Sequence, residues 1–210
     1  MKNRVEQEKK FWDGYATRYD GFIRKIASGT YENLFEKLLT DTSGTGNLLE
    51  IATGTGIIAL KLSSHISNIT AIDLSPEMIK VAKQKCSQQN KKNIEFRTGD
   101  ACNLEFPDTS FDVIIASNLL HLLFMPDLAM QEMKRVLKDG GKIILPTYLH
   151  GANLISHILS RLMGLSGFKV NNRWSVTTFR EFVTSNGFRI TSEKVIPDKI
   201  PLIYLVAKKQ

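Results

Sequence analysis

The sequence has few cysteines and no long apolar run, and each shortage excludes a class of protein. Cys86 and Cys102 are the two cysteines of 210 residues and form no CxxC pair, so we expect neither disulfides nor a metal site. The longest apolar stretch, 113–125, is interrupted by polar residues and is too short to cross a bilayer. The basic start contains no apolar segment typical of a signal peptide. These absences predict a cytoplasmic protein without a membrane span.

Low-complexity composition is also absent. With 14 Gly, 6 Pro, 42% hydrophobic and 23% charged residues, the chain has the composition of an ordinary globular protein. Its length predicts one domain, 1–210, with its own core. The net charge is +7, and the positive excess is concentrated in 160–210. A solvated lysine-rich surface explains this excess, and RNA is the alternative partner that it leaves open.

The middle of the chain alternates short apolar runs with helical patterns, which is typical of βαβ units around a parallel sheet. Helices are predicted at 57–62, after the Ser75-Pro76 cap, at 127–138 before Asp139-Gly140-Gly141, and after a capping box at 178–181. Seven strands are predicted, over 47–53, 69–73, 93–97, 112–116, 142–145, 189–195 and 202–207.

Two segments lie outside this alternation. Residues 1–39 have helical spacing and predict an N-terminal cap, and residues 152–163 predict a helix within an insert, 148–173. Ligands of open α/β sheets bind beyond the carboxyl ends of the strands. We therefore expect both segments to cover a ligand there, with Leu154, Ile158 and Leu162 packing the lid.

A glycine-rich turn and two aspartates follow three successive predicted strands. The turn is Gly54-x-Gly56-x-x-Ala59, which lets the backbone approach a ligand closely. Asp73, 19 residues beyond Gly54, is placed to accept hydrogen bonds from the hydroxyls of a ribose. Asp100 is placed to accept a hydrogen bond from the amino group of an adenine. Each feature alone is also compatible with a tight turn or a helix cap. Together they predict a nucleoside site.

Six segments of the chain resemble a known family, the class I S-adenosylmethionine-dependent methyltransferases, and in particular the small stand-alone type similar to ubiquinone-biosynthesis methyltransferases. They are WDGYATRYD (12–20), LLEIATGTG (48–56), AIDLSPEMI (71–79), GDA (99–101), FDVIIASNLLHLL (111–123) and RVLKDGGKIIL (135–145). The resemblance implies a Rossmann-like, doubly wound sheet of seven strands, mostly parallel with an antiparallel last strand.

The resemblance also implies a cofactor, S-adenosylmethionine, with S-adenosylhomocysteine as product. Glu50 and the Gly54–Gly56 loop would hold its methionyl end, Asp73 the ribose, and Asp100 with Ala101 the adenine, under a cap from Tyr19. The expected cofactor-binding residues are Tyr19, Glu50, Ala52, Gly54, Thr55, Gly56, Asp73, Leu74, Met78, Asp100, Ala101 and Ser117.

Two other functions share part of this pattern. A nicotinamide-dependent oxidoreductase also carries GxGxxA with an acid about 20 residues further on, but Glu50 would repel a pyrophosphate. The Tyr204–Lys208 pair, which has the spacing of a helical catalytic pair, lies in a predicted strand. A nucleoside-binding module that has lost turnover is the other alternative.

The methyl acceptor is less defined by the sequence. His121, five residues after the fourth predicted strand, is the candidate general base, and a histidine packed in an apolar wall is the alternative. The Asn-Pro-Pro-Tyr motif of base-methylating enzymes is absent after that strand. We expect a small-molecule or lipid-like acceptor, with RNA as the alternative, and the sequence predicts no oligomeric state.

Overall fold

The computed structural model describes residues 2–154, 156–158, 161, 169–198 and 200–210, with side chains described except at 2–4, 22 and 24–31. The chain divides into two compact units, Met1–Ala101 and Cys102–Gln210. Each unit combines parallel strands with helices, so the predicted α/β class is confirmed.

The first unit contains three parallel strands in the order β3-β2-β1. The predicted helical N-terminal segment is confirmed and consists of two helices. The elements of this unit are α1 (Lys2–Tyr15), α2 (Tyr19–Thr42), β1 (Asn47–Ile51), α3 (Ile57–Leu62), β2 (Asn68–Asp73), α4 (Pro76–Gln88) and β3 (Ile94–Thr98).

Strand β1 is buried on both faces, as a continuous apolar run predicts. Leu48 and Leu49 are fully buried, and Leu48 lies opposite Ile69 of β2. The strand was predicted to reach 53 but ends at Ile51, because Ala52 has a φ of 58° that no strand residue adopts. The chain therefore enters the glycine turn two residues earlier than the sequence predicts.

Helix α4 begins as predicted. The Ser75 hydroxyl accepts a hydrogen bond from the amide of Met78 at 3.1 Å, and Pro76 occupies the first turn. Proline is favoured there because its missing N–H has no partner within the helix anyway. This cap fixes the backbone that directly follows β2.

In the second unit β4 and β5 are parallel, and β8 pairs antiparallel with β5, β6 and β7. The predicted antiparallel last strand is therefore confirmed, and β6 is a two-residue strand beyond the seven predicted. The elements are β4 (Phe111–Ala116), α5 (Pro126–Val136), β5 (Leu137–Ile144), β6 (Thr147–Tyr148), α6 (Val176–Ser185), β7 (Phe188–Ile196) and β8 (Leu202–Lys209).

Two predicted helix boundaries in this unit are wrong. Helix α5 ends at Val136 rather than at Lys138, because Leu137 is extended, fully buried and paired with Phe111 of β4. Helix α6 begins at Val176, three residues before the predicted start. Its capping box is formed by Ser175 and Thr178, so Thr178 is the third helical residue and not the cap.

The predicted helix over 152–163 is helical at 154, 156–158 and 161, and the rest of the insert's apolar stripe, Leu162 included, lies outside the described residues. Leu154 and Ile158 are 76% and 51% exposed, so the expectation that they are packed is wrong. Ser156 is buried instead, and its hydroxyl donates to the carbonyl of His150. The helix face that carries Leu154 and Ile158 is therefore turned toward solvent. No described helix is long and apolar enough to cross a membrane.

Candidate cofactor and acceptor sites

The loop after β1 has a backbone that two glycines make possible. Gly54 and Gly56 have φ values of 56° and 77°, in the left-handed region that glycine adopts without cost. A Cβ on Gly56 would lie 2.7 Å from the Phe96 ring, and a Cβ on Gly54 would lie 3.5 Å from the Tyr19 ring. Gly56 therefore admits no side chain, and the ring of Tyr19 lies beside Gly54 as the predicted cap requires.

Glu50 lies beneath this loop and is almost completely buried. Its Oε2 accepts hydrogen bonds from the Thr53 hydroxyl at 2.7 Å and from the amide of Ala59 at 3.0 Å. Burial raises the pKa of Glu50 to about 8, because two hydrogen bonds replace its hydration only in part. A cationic group beside this carboxyl would favour its ionised form. Its role toward the methionyl end of a cofactor stays a prediction.

Asp73 connects the loops that follow β1 and β2. Its Oδ2 accepts from the amide of Gly54 at 2.8 Å, and its Oδ1 accepts from the amide of Ser75 at 2.9 Å. Burial is the main cause that raises the pKa of Asp73, and these amides oppose it. Each carboxylate oxygen accepts a second hydrogen bond, so both can still receive a ribose hydroxyl. Asp73 thus fixes the backbone of both loops through hydrogen bonds, and it is also the predicted ribose ligand.

The end of β3 is attached to the end of β2. The amide of Gly99 donates to the carbonyl of Asp73 at 3.0 Å, and the half-buried Asp100 and buried Ala101 follow directly. The first unit therefore brings the predicted residues of three strand ends to neighbouring loops. Leu74, half-buried, and Met78, fully buried, complete the predicted group on the β2 side.

Two aspartates that the sequence analysis did not single out attach the N-terminal helices to these loops. Asp13 accepts from the Ser75 hydroxyl at 2.5 Å. Asp20 accepts from the hydroxyl of Thr55, which is fully buried, at 2.5 Å and from Lys85 Nζ at 2.7 Å. Both belong to the WDGYATRYD segment, the one signal that could have identified them. They hold the cap segment, 12–20, against the candidate cofactor loops.

Replacement of Asp20 by alanine tests this attachment. The Asp20 side chain is about one third exposed, so we expect its loss to lower the free energy of unfolding by only about 1 kcal/mol. Amide hydrogen exchange over 2–20 should accelerate, since the first turn of α2 loses both its partners. Exchange measured by mass spectrometry checks this result. Glu95→Ala, which removes an exposed ion pair with Arg97, is the control and should leave 2–20 unchanged.

In the second unit Ser117 directly follows β4, and His121 lies in the next turn. His121 is 2% exposed, and burial lowers its pKa well below 6.5, so the ring is neutral at physiological pH. Its ring centroid lies 4.9 Å from that of His150. The packed position agrees with the alternative reading of His121, and a neutral imidazole is also the form that a general base requires. The catalytic role of His121 stays a prediction.

The geometry of β8 bears on the oxidoreductase alternative. Tyr204 and Lys208 both belong to this strand, and Tyr204 is fully buried. On a helix the two side chains of a Tyr-x-x-x-Lys pair are neighbours about 5–6 Å apart, whereas on a strand four residues rise about 13 Å and keep them apart. The spacing is therefore coincidental, as the sequence analysis expects.

Comparison with protein families gives a match over part of each unit. Residues 49–145 match a family described as methyltransferase domain. The matched range includes Glu50, the glycine loop, Asp73 and Asp100 as well as Ser117 and His121.

Two curated relatives of this chain are named as methyltransferases. A phosphatidylethanolamine N-methyltransferase from Cereibacter sphaeroides is 37% identical over 101 residues, which cover 48% of this chain and 49% of that protein. A ubiquinone/menaquinone biosynthesis C-methyltransferase from Pseudomonas fluorescens is 32% identical over 160 residues, 72% of this chain and 62% of that protein. The chain thus spans between about half and two thirds of these relatives.

A solved structure supports the fold. The YcgJ protein from Bacillus subtilis superimposes with a TM-score of 0.73 at 18% identity, covering 85% of this chain and 99% of that chain. At this level of identity the likeness concerns the fold alone. It confirms the Rossmann-like architecture that the sequence predicts.

Proposed function

We propose that this chain, whose residues 49–145 belong to the methyltransferase-domain family, transfers a methyl group from S-adenosylmethionine to a small-molecule acceptor. The observation that carries the proposal is the first unit's loop system. Gly54 and Gly56 shape a close-approach turn, Asp73 accepts from its backbone, and Glu50 lies buried beneath it.

The chemistry of these residues fits the proposed cofactor. S-adenosylmethionine carries positive charge on its sulfonium and ammonium groups and offers two ribose hydroxyls. Glu50, Asp73 and Asp100 supply carboxyl groups, which attract cations and accept hydroxyl hydrogen bonds. An anionic dinucleotide pyrophosphate would gain no comparable attraction from these carboxyl groups. The donor set therefore favours the sulfonium nucleoside over a nicotinamide cofactor.

The reaction requires little more than placement. When bound, S-adenosylmethionine supplies a methyl carbon already activated by the sulfonium sulfur, and a lone pair of the acceptor attacks it in line. Asp73 would orient the ribose, Glu50 the ammonium end, and the Tyr19 ring would cover the loop at Gly54. Fixing the donor in this way lowers the entropic part of the barrier.

The acceptor is proposed to be small or lipid-like. The names of two relatives, a phosphatidylethanolamine N-methyltransferase and a ubiquinone/menaquinone biosynthesis C-methyltransferase, support this class. The basic C-terminal part gives RNA less support, because two of its cations are already paired. Arg180 forms an ion pair with Glu193, and Lys209 with Asp139 at 3.1 Å.

Calorimetry with the purified chain tests the cofactor. We expect saturable binding of S-adenosylhomocysteine and no binding of NAD under the same conditions. The converse result would assign the site to a dinucleotide and contradict the proposal. Binding of both ligands with similar affinity would support a nucleoside-binding module without donor selectivity.

Gly56→Ala gives a sharper test, because a matched glycine is available. The added Cβ would meet Phe96 at 2.7 Å, so the loop must shift, and we expect S-adenosylhomocysteine affinity to fall at least tenfold. Gly44 also has a left-handed φ of 75°, but apart from its chain neighbours no atom of the described residues lies within 4 Å of its added Cβ. Gly44→Ala therefore carries the same conformational cost and should retain wild-type affinity. Equal effects of both variants would show that the loop's shape is unimportant.

A further inference from the structure

Three cations stand in one row across β5, β8 and β7 of the second unit. The strand register places Lys208 of β8 directly opposite Lys142 of β5 and directly opposite Arg189 of β7. Directly opposite residues of antiparallel strands share a face of the sheet and lie about 5 Å apart. The three residues therefore extend side by side over roughly 10 Å. We call Lys142, Lys208 and Arg189 the cation row.

The cation row lies where this face of the sheet meets solvent. Lys208 and Arg189 are exposed, and Lys142 is half-buried. Two residues further along β5 and β8, the same face carries Ile144 and Val206, which are paired with each other and buried. The aliphatic parts of the cationic side chains therefore adjoin the apolar core, while their charged ends remain in water.

The cation row is distant from the predicted ligand end of the sheet. Lys142 is level with Val113, near the start of β4, whereas Ser117 directly follows the end of that strand. Four residues of strand separate these two levels by about 13 Å. A ligand at the carboxyl ends of β4 and β5 would therefore not contact these cations.

The carboxylates nearest to the row in the chain are paired with other lysines. Asp112 forms an ion pair with Lys138 at 2.7 Å, and Asp139 forms one with Lys209 at 3.1 Å. Within the described part of the chain, no side chain of the cation row forms an ion pair or a hydrogen bond. Like charges directly opposite each other destabilise a sheet. A bound anion with several charges would relieve this repulsion.

The small size of the row selects a compact anion over a macromolecule. Nucleic-acid interfaces contact many phosphates over a wide basic face, and anionic membrane surfaces are typically bound by clusters of four to eight cations. The cation row has three members and is one residue deep, because the next residues on the same face are the buried Ile144 and Val206.

The chemistry of the side chains indicates phosphate groups. The Arg189 guanidinium can donate two parallel hydrogen bonds to one phosphate, and the two lysines act as point charges toward its neighbours. We propose that the cation row binds a compact anion with three linked phosphate groups, one for each cation. The pyrophosphate diester of a dinucleotide has two charges and does not satisfy all three. Inorganic triphosphate and a nucleoside triphosphate share the required chemistry.

Calorimetry of the full chain at low ionic strength tests the binding. We expect inorganic triphosphate to bind saturably with one site, and about tenfold more tightly than single phosphate because further charged hydrogen bonds form. ATP that binds as tightly as triphosphate shows that the phosphate chain is sufficient, and tighter binding of ATP identifies a nucleotide site. No saturable binding of either compound overturns the inference. Binding of phosphatidylserine vesicles or of an oligoribonucleotide in place of triphosphate also overturns it.

Lys208→Gln removes the middle cation and locates the bound anion. We expect its affinity for triphosphate to fall about tenfold or more, since it loses one charged hydrogen bond. Lys194→Gln removes another exposed cation of the second unit, on β7, and should keep the wild-type affinity. An unchanged affinity in Lys208→Gln, or equal losses in both variants, overturns the inference.

Thermal unfolding gives a second measurement that also verifies that the variant folds. Without triphosphate at low ionic strength, Lys208→Gln should unfold at a higher temperature than wild type, because it removes the repulsion from both neighbours. Added salt should reduce this difference by screening the charges. Triphosphate should then raise the midpoint of wild type more than that of the variant. An equal rise in both proteins places the anion elsewhere and overturns the inference.

Discussion

Asp73→Ala is expected to weaken binding of S-adenosylhomocysteine by roughly 1.5–3 kcal/mol, the contribution of hydrogen bonds to a charged acceptor. The carboxylate would accept the ribose hydroxyls, and it already accepts from the amides of Gly54 and Ser75. Alanine removes both kinds of contact, so part of the loss arises from a looser loop. Calorimetry at a fixed pH measures the change in affinity.

Asp73→Asn separates the two contributions. Asparagine keeps one oxygen acceptor for a loop amide but has a single oxygen and no charge to offer the ribose. We expect it to recover thermal stability relative to alanine while affinity stays at least tenfold below wild type. Asp139→Ala, at an aspartate whose side chain is 90% exposed, is the control. Wild-type affinity in Asp73→Ala would show that Asp73 is not the ribose ligand.

The loops of the first unit were predictable because their determinants are local. Ser75, Pro76 and Glu77 specify the start of α4 by the chemistry of a helix N-terminus. The glycines at 54 and 56 specify a turn that other residues adopt at a cost. Each of these signals acts within a few residues, so one sequence is sufficient to detect it.

The errors occur where distant residues decide the structure. Asp139-Gly140-Gly141 has the residues of a helix stop, yet Leu137 already pairs with Phe111 across the sheet. The ring contact of His121 with His150 likewise joins positions 29 residues apart. Neither arrangement has a local signal in the chain.

The aspartates of the N-terminal cap show the same limit. Asp13 meets Ser75 across 62 residues, and Asp20 meets Lys85 across 65. Periodicity predicted that this segment is helical, but it contains no information about which side chains attach it. The resemblance over 12–20 predicted a role for Tyr19 but for neither aspartate, because the partners of both aspartates are distant in sequence and meet them only in the folded chain.

Glu50 is expected to make the free energy of unfolding strongly dependent on pH. Its pKa is about 8 in the folded chain against an ordinary value of 4.5. The folded state therefore binds this proton more tightly than the unfolded state does. Below pH 4.5 Glu50 is protonated in both states and does not lower the free energy of unfolding. As pH rises from 4.5 through 8, the free energy of unfolding should fall, because the unfolded chain releases this proton first. At 1.36 kcal/mol per pKa unit, the loss is roughly 4–5 kcal/mol.

Glu50→Gln should remove this loss. Glutamine keeps a carbonyl oxygen that accepts from the Thr53 hydroxyl and the Ala59 amide, but it does not ionise. Denaturant unfolding at intervals from pH 5 to 9 should give a steeper decline for wild type than for the variant. Glu36→Gln, on the exposed face of α2, serves as the control and should follow wild type. Parallel pH profiles for wild type and Glu50→Gln would show that the buried carboxyl is not protonated in the folded chain.

The same proton connects stability to the proposed cofactor. An ammonium group beside Glu50 would favour the carboxylate, so binding of S-adenosylhomocysteine at pH 7 should release up to one proton from Glu50. Calorimetry in phosphate and in Tris, whose ionisation enthalpies differ, measures this release as a buffer-dependent binding enthalpy. Glu50→Gln should bind more weakly and lose the buffer dependence that Glu50 contributes. Identical proton release in wild type and variant would exclude Glu50 as the partner of the ammonium group, while leaving its effect on stability intact.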